Sequence, residues 1–257
     1  MRYLEAGAGW PVVLLHAFPL SADLWRPQLE QVPKGWRYLA PDLPGFGPSP
    51  TAPSDGGPTT IDDLASGVRG FLDALEIERA AIGGLSMGGY VTLALFRASP
   101  ERFSRIILAD TKAGADTEEG RAGRRKMLDL VRAQGPSAVA DDMLPKLLGD
   151  TTRKERPDLM THVRRMIESN PAAGIAGAIE AMMGRPDSTP MLPRINIPAL
   201  VVVGEEDRVT PPSESESIHR QLTRAQFVTI PRAGHLSALE APDHFSRILA
   251  DFLAANI

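Results

Sequence analysis

The chain has 257 residues, of which 43% are apolar and 23% charged, with a net charge of −4; that gives room for one large domain, with or without an inserted subdomain. The mild acidity leaves no basic excess to neutralise phosphates, so nucleic acid is not expected as a partner. The absence of cysteine excludes disulfides, thiolate metal sites and cysteine nucleophiles.

The first eleven residues hold no basic segment followed by a long apolar run, and no later stretch is apolar enough to span a bilayer. A soluble, cytoplasmic protein with no membrane partner is expected. The first clear element is a buried strand over 11–16, then a helical stretch near 22–32 and a strand over 36–40. That strand runs into the turn-rich Pro41-Asp-Leu-Pro-Gly-Phe-Gly-Pro48. A helix is predicted over 61–75, with Thr60 as its cap and Asp62 and Asp63 in its first turn. A strand over 80–84, a helix over 87–99 and a strand over 104–109 follow. Strand–helix alternation of this kind implies an α/β fold, a mostly parallel sheet with helices on both faces.

After Asp110 the pattern changes. Helical segments are predicted over 118–133, 137–148, 157–169 and 172–183, with no convincing strand, up to a Pro-rich linker over 190–198. Alternation then resumes with a strand over 199–204, a helix over 212–222, a strand over 225–230 and a helix over 242–255. The expected organisation is a core of residues 1–110 and 193–257, interrupted by a helical cap at 111–192. Such an insertion is expected above the C-terminal edge of the sheet, where ligands bind in open α/β folds.

The strongest chemical signal is Gly83-Gly84-Leu85-Ser86-Met87-Gly88-Gly89, which contains G-x-S-x-G after a strand and before a helix. A Ser on so sharp a turn needs small neighbours, and Gly84 and Gly88 supply the room. A Gly-rich phosphate loop is a poor alternative, since no Lys-Ser or Lys-Thr follows the glycines. A serine hydroxyl needs a base. In the chain order of this motif the acid and then the histidine follow the serine, which leaves His219, His235 and His244. The first falls inside a helical stretch and the last near the start of one, where solvated helix residues are the plainer reading. His235 lies in a loop after the last strand and is expected to be the base.

Asp207, just after the strand over 199–204, is favoured as the acid that orients His235; Glu205, Glu206 and Asp110 are its rivals. One oxyanion donor is expected to be the backbone N–H of Met87 and the second that of Phe18, since Pro19 has none. The five histidines show no ligand spacing, so neither a metal nor a cofactor is expected.

The segments His16-Ala-Phe-Pro, Asp42-Leu-Pro-Gly-Phe-Gly, Gly84-Leu-Ser-Met-Gly-Gly, Gly204-Glu-Glu-Asp and Ala233-Gly-His-Leu-Ser-Ala-Leu-Glu-Ala-Pro242 resemble the α/β-hydrolase superfamily over nearly the whole chain. Within it the chain resembles small carboxylesterases and enzymes of the 3-oxoadipate enol-lactonase type. The stretch Pro19-Leu-Ser-Ala-Asp-Leu-Trp25 is similar to the cofactor-free haloperoxidases, which are perhydrolases, although those usually carry Trp where Phe18 stands. Most relatives have His-Gly in place of His16-Ala17. The serine nucleophile separates the chain from haloalkane dehalogenases, which use Asp. The family's first strands look shortened, since few residues precede the strand that carries His16.

The resemblance implies a carboxylic ester hydrolase acting through an acyl-enzyme on short to medium acyl chains, with a small-molecule ester or lactone as its substrate. An enol-lactonase is the nearest alternative and predicts basic residues in the pocket, for which Arg121, Arg124, Arg125, Arg164 and Arg165 are candidates. A perhydrolase is a further alternative, and a ligand-binding signalling receptor a remote one. Seven of the nine methionines fall in 111–192, where most are expected to pack between helices and some to face the site.

Overall fold

The computed structural model describes residues 1–51 and 59–255. Its elements run β1 (Tyr3–Gly7), β2 (Gly9–Leu15), α1 (Arg26–Leu29), β3 (Gly35–Pro41), α2 (Ile61–Ala74), β4 (Ala80–Leu85), α3 (Met87–Ala98) and β5 (Phe103–Ala109). Then come α4 (Glu118–Leu147), α5 (Asp150–Glu155), α6 (Pro157–Glu168), α7 (Ala172–Met183), β6 (Ala199–Gly204), α8 (Pro212–Gln221), β7 (Ala225–Ile230), α9 (Ser237–Glu240) and α10 (Pro242–Ala254).

The strands form one seven-stranded sheet in the order β1-β3-β2-β4-β5-β6-β7, parallel except where β1 pairs with β3. Every residue of β4 and β6 is buried, so both faces of the sheet centre are covered. The order reverses between β2 and β4, which makes their carboxyl ends a topological switch point. The register pairs Leu15 with Gly84, Leu85 with Ala109, Ala109 with Val202 and Gly204 with Ile230. The loops that follow β2, β4, β5, β6 and β7 therefore all leave the same edge, as does the loop after β3, which runs parallel to β2.

Several elements differ from expectation. β1 was not foreseen: its sequence Tyr-Leu-Glu-Ala-Gly is only half buried and carries no apolar run. The expected helix over 22–32 is a 3-10 turn (Ala22–Trp25) followed by the four residues of α1. The expected helices over 118–133 and 137–148 both form within α4; they meet at Gly135, whose φ of 78° and ψ of −171° are non-helical, ahead of Pro136. α5 and α9 are too short to carry a periodic signal. The Thr60 cap is present as a capping box: Asp63 N–H donates to Thr60 Oγ1 and Thr60 N–H to Asp63 Oδ2.

Between β5 and β6 no strand occurs among the described residues. α4 packs on α6 and α7 through residues such as Val131, Val139, Val163, Ile167, Ile175 and Ile179, all 1% exposed or less. This helical segment reaches the sheet edge by direct backbone approach. A Cβ on Gly234 would lie 2.2 Å from Gly149 N, and one on Gly204 would lie 2.0 Å from Gly234 O. Three glycines thus let the start of α5, the loop after β6 and the loop after β7 touch. No helix among the described residues is long and apolar enough to cross a membrane.

Candidate active site

Ser86 ends β4 and precedes α3 with φ 56° and ψ −112°, a left-handed conformation that a non-glycine residue adopts only under constraint. The constraint is visible. Ser86 N–H donates to Ala109 O at 2.9 Å, and Thr111 Oγ1 donates to Ser86 O at 2.8 Å. A Cβ on Gly84 would sit 2.3 Å from Gly88 C, and one on Gly88 would sit 2.3 Å from Leu15 O, which explains the small neighbours.

The structure brings Ser86, His235 and Asp207 together from three loops. His235 Nε2 lies 2.8 Å from Ser86 Oγ, and His235 Nδ1 lies 2.8 Å from Asp207 Oδ2. Because a carboxylate only accepts, the Nδ1 proton belongs toward Asp207, which leaves Nε2 to accept the serine hydroxyl. The side chains are almost sealed, with residue exposures of 7%, 1% and 4% for Ser86, His235 and Asp207. Burial by itself disfavours the imidazolium. The charge and hydrogen bond of Asp207 outweigh it and hold His235 above the ordinary histidine range. Burial likewise pushes the Asp207 carboxyl up. The charge and hydrogen bond of His235, together with bonds from Thr210, outweigh that and hold it below its ordinary range.

Thr210 was not singled out from the sequence. Its N–H donates to Asp207 Oδ1 at 3.0 Å and its Oγ1 to Asp207 Oδ2 at 2.8 Å, while Val209 N–H donates to Oδ1 at 2.8 Å. The signal was present as Asp-x-x-Thr, in which a carboxylate caps its own following turn.

The rival acids lie elsewhere. Glu206 accepts from Thr151 N–H and Oγ1 at the start of α5, and Glu205 accepts from Arg232 N–H. Asp110 is fully buried and makes no hydrogen bond to His235. Its Oδ1 accepts from Gly204 N–H at 2.8 Å, and its Oδ2 from Ser237 Oγ at 2.5 Å. It thus ties the loop of Asp207 to the loop of His235. Burial and the nearby Asp207 charge drive the Asp110 carboxyl well above its ordinary range. His219 stacks on Phe227 in α8 and His244 lies in α10, neither of them at the serine.

The loop after β2, the strand paired with β4, carries Phe18, which is 6% exposed. Among the described residues, no hydrogen bond uses the N–H of Phe18 or of Met87. His16 is a buried link rather than a base. Its Nε2 accepts from Leu43 N–H at 3.0 Å, so its Nδ1 carries the proton and donates to Ala17 O at 3.0 Å. Burial pushes His16 down to about 4, which keeps it neutral.

A cavity of about 530 Å³ is bounded by Phe18, Val209 and the helices α4 and α7. Met127 and Met143 line it; the other five methionines of the segment do not. Of the five arginines proposed for a charged ligand, Arg124 alone lines it, together with Lys126 and Lys146. Arg121 and Arg164 are engaged with Glu118 and Asp141. Asp116 holds Arg124, Arg185 and Lys112, so one carboxylate serves three cations. No group of three or more histidines and carboxylates able to hold a metal ion occurs among the described residues.

Residues 11–242 match the family described as alpha/beta hydrolase fold. A 3-oxoadipate enol-lactonase from Acinetobacter baylyi is 29% identical over 242 residues, which cover 94% of this chain and 88% of the relative. Among solved structures, a thermophilic esterase from Thermogutta terrifontis, with malate bound, has a TM-score of 0.94 at 38% identity and covers 98% of this chain and 92% of that one. An enol-lactonase from Burkholderia xenovorans LB400 has a TM-score of 0.90 at 30% identity, covering 99% and 96%.

Proposed function

The chain belongs to the α/β hydrolase fold family, and on that premise we propose that it is a carboxylic ester hydrolase with Ser86 as nucleophile, His235 as general base and Asp207 as the acid that orients it. The observation that carries this reading is the unbroken pair of 2.8 Å contacts from Ser86 Oγ through His235 to Asp207. In the reaction His235 Nε2 takes the Ser86 proton as Oγ bonds to the ester carbonyl carbon. The carbonyl oxygen becomes an oxyanion facing the N–H groups of Met87 and Phe18. Collapse breaks the bond to the alcohol oxygen, which leaves with the proton from His235, and an acyl-Ser86 remains. Water, deprotonated by His235, then releases the acid and restores the serine. Residues 111–192 act as a cap that shapes the acyl pocket over the core of residues 1–110 and 193–257.

The test is hydrolysis of p-nitrophenyl esters of increasing acyl length beside Ser86→Ala. Turnover of short and medium esters is expected, falling by about 10⁴-fold or more in the variant. A folded Ser86→Ala protein with full activity sinks the reading.

A second reading, a lactone hydrolase taking a carboxylate-bearing substrate, is favoured by one observation: Arg124, Lys126 and Lys146 line the cavity beside the single acid Asp142. The enol-lactonase relatives and the malate-bound esterase agree with a site that accepts carboxylates.

A further inference from the structure

The junction between α6 and α7 places a buried amide, Asn170, 2% exposed, against the loop that carries Phe18. Its Nδ2 donates to Pro19 O at 2.9 Å, with Leu20 O at 3.3 Å, and to Met166 O at 2.9 Å. Its Oδ1 accepts from Gly47 N–H at 2.8 Å. With carbonyls on one side and an N–H on the other, only one orientation of the amide satisfies all its partners.

Two peptide planes connect this amide to Phe18. Pro19 O and Leu20 N–H belong to one trans peptide and point in opposite directions. Asn170 holds the oxygen on one side, and on the other Leu20 N–H donates to Ala17 O at 2.9 Å. Ala17 O and Phe18 N–H belong to the next plane in this relay, again trans and again opposed. Ala17 O is therefore fixed from two directions, by Leu20 N–H and by the neutral His16 Nδ1–H at 3.0 Å. Both anchors also grip the 42–48 turn, His16 at Leu43 N–H and Asn170 at Gly47 N–H.

We infer that Asn170 is a positioning residue for the oxyanion-binding N–H of Phe18, set in the helical segment and acting through the Pro19–Leu20 and Ala17–Phe18 peptide planes. The inference rests on the ester-hydrolase reading above. Pairing Gly47 N–H and the Pro19 and Met166 carbonyls accounts for stability, which the thermal-unfolding arm below reads separately. What the amide adds is direction for a donor whose worth depends on being aimed at charge that develops only in the transition state.

The experiment compares wild type, Ser86→Ala, Asn170→Ala and Asn170→Asp. It measures kcat and KM on p-nitrophenyl butyrate, affinity for an alkyl trifluoromethyl ketone that forms an oxyanion on serine, and thermal unfolding. In Asn170→Ala, kcat is expected to fall by roughly 10- to 100-fold, the scale of a misplaced catalytic group. KM should stay within about threefold, and ketone affinity should fall in step with kcat/KM, as for loss of transition-state binding alone. Asn170→Asp keeps size and the Gly47 bond but turns an acceptor toward the carbonyls of Pro19, Leu20 and Met166, and is expected to lose at least as much. The inference is overturned if either variant, corrected for the fraction folded, keeps wild-type kcat and ketone affinity. A wild type without Ser86-dependent turnover overturns this inference and the ester-hydrolase reading together; an active wild type with unaffected Asn170 variants overturns the inference alone.

Discussion

Ser86 is held in a left-handed backbone conformation by bonds to Ala109 and Thr111, so its hydroxyl meets His235 without a search through rotamers of the loop. With His235 as the proposed base, its imidazole must be neutral to accept a proton, so activity is expected to rise with pH through the His235 titration. Burial opposes the imidazolium, but Asp207 stabilises it more, so the acid limb of kcat/KM is expected above the ordinary histidine value of about 6.5. Asp207→Asn should shift that limb to lower pH and cut kcat by about 10⁴-fold, read from a pH–rate profile of both proteins. A limb that does not move removes Asp207 from the pair. His16 gives an opposite and separable signature. Its folded form titrates at about 4 and its unfolded form near 6.5, so it contributes stability that is complete above about 6.5 and declines as pH falls toward 4. Replacing it by Gln should flatten that part of the stability–pH curve, measured by urea unfolding. At this scale a motif and a chain order were enough to single out Ser86, Asp207 and His235, the three side chains that the structure brings together. The sequence was silent on Thr210 and Asn170, and it raised Asp110 only as a rival acid, because the value of all three lies in partners supplied by the fold. For Asp110 the partners Gly204 and Ser237 stand 94 and 127 residues away in the chain, and for Asn170 the partners Gly47 and Pro19 stand 123 and 151 away.

The helices between β5 and β6 were legible because Pro and Gly break the chain into runs with clear apolar spacing; α5, with six residues, had no room to show a period. β1 escaped for a related reason, since an edge strand half open to solvent carries no buried run. One polar cluster holds this region together. Asp116 precedes α4, Arg124 lies in it, and Arg185 follows α7 with its guanidinium 4.1 Å above the Tyr90 ring of α3. Arg185 and Asp116 side chains are each 3% exposed. Burial pushes the Asp116 carboxyl up, but the hydrogen bonds and charges of Arg124 and Arg185 outweigh it and hold it well below the carboxylate range. Its stabilising contribution is therefore complete above the unfolded value of about 4 and is lost as pH falls below that toward the folded value. Asp116→Asn leaves the Arg185 charge buried with its partner gone, and should cost about 3 kcal/mol at neutral pH while making acid unfolding less steep below about pH 4. Chemical denaturation across pH checks both.

Across the whole molecule, the sheet order brings six loops to one edge, and the helical segment bounds a cavity together with two of them, through Phe18 and Val209. The class of fold was readable from alternation alone. Which helical faces meet the cavity was not, because that depends on the bend at Gly135 and on how α4 lies against α7. Seven methionines and five arginines were candidates; two and one of them line the space. If the cavity takes a carboxylate-bearing substrate, Arg124→Ala should lower kcat/KM for a charged lactone by roughly tenfold or more, the worth of one charge-assisted hydrogen bond, and leave a neutral ester of equal size nearly unchanged. Equal losses on both substrates point to disturbance of α4 through Asp116 instead.

The contact among Gly149, Gly204 and Gly234 has a consequence for which sequences can encode this protein at all. Backbone atoms occupy the space where a first side-chain carbon would stand at Gly204 and Gly234, and at Gly149 the Glu206 carboxylate and Gly234 N crowd it. Alanine at any of the three wedges the Asp207 loop, the His235 loop or the start of α5 away from its neighbour. A library randomised at these positions and selected for activity should return glycine at each, with the same stringency as serine at position 86. Three residues with no side chain and no chemistry of their own are then as narrowly specified as the proposed nucleophile.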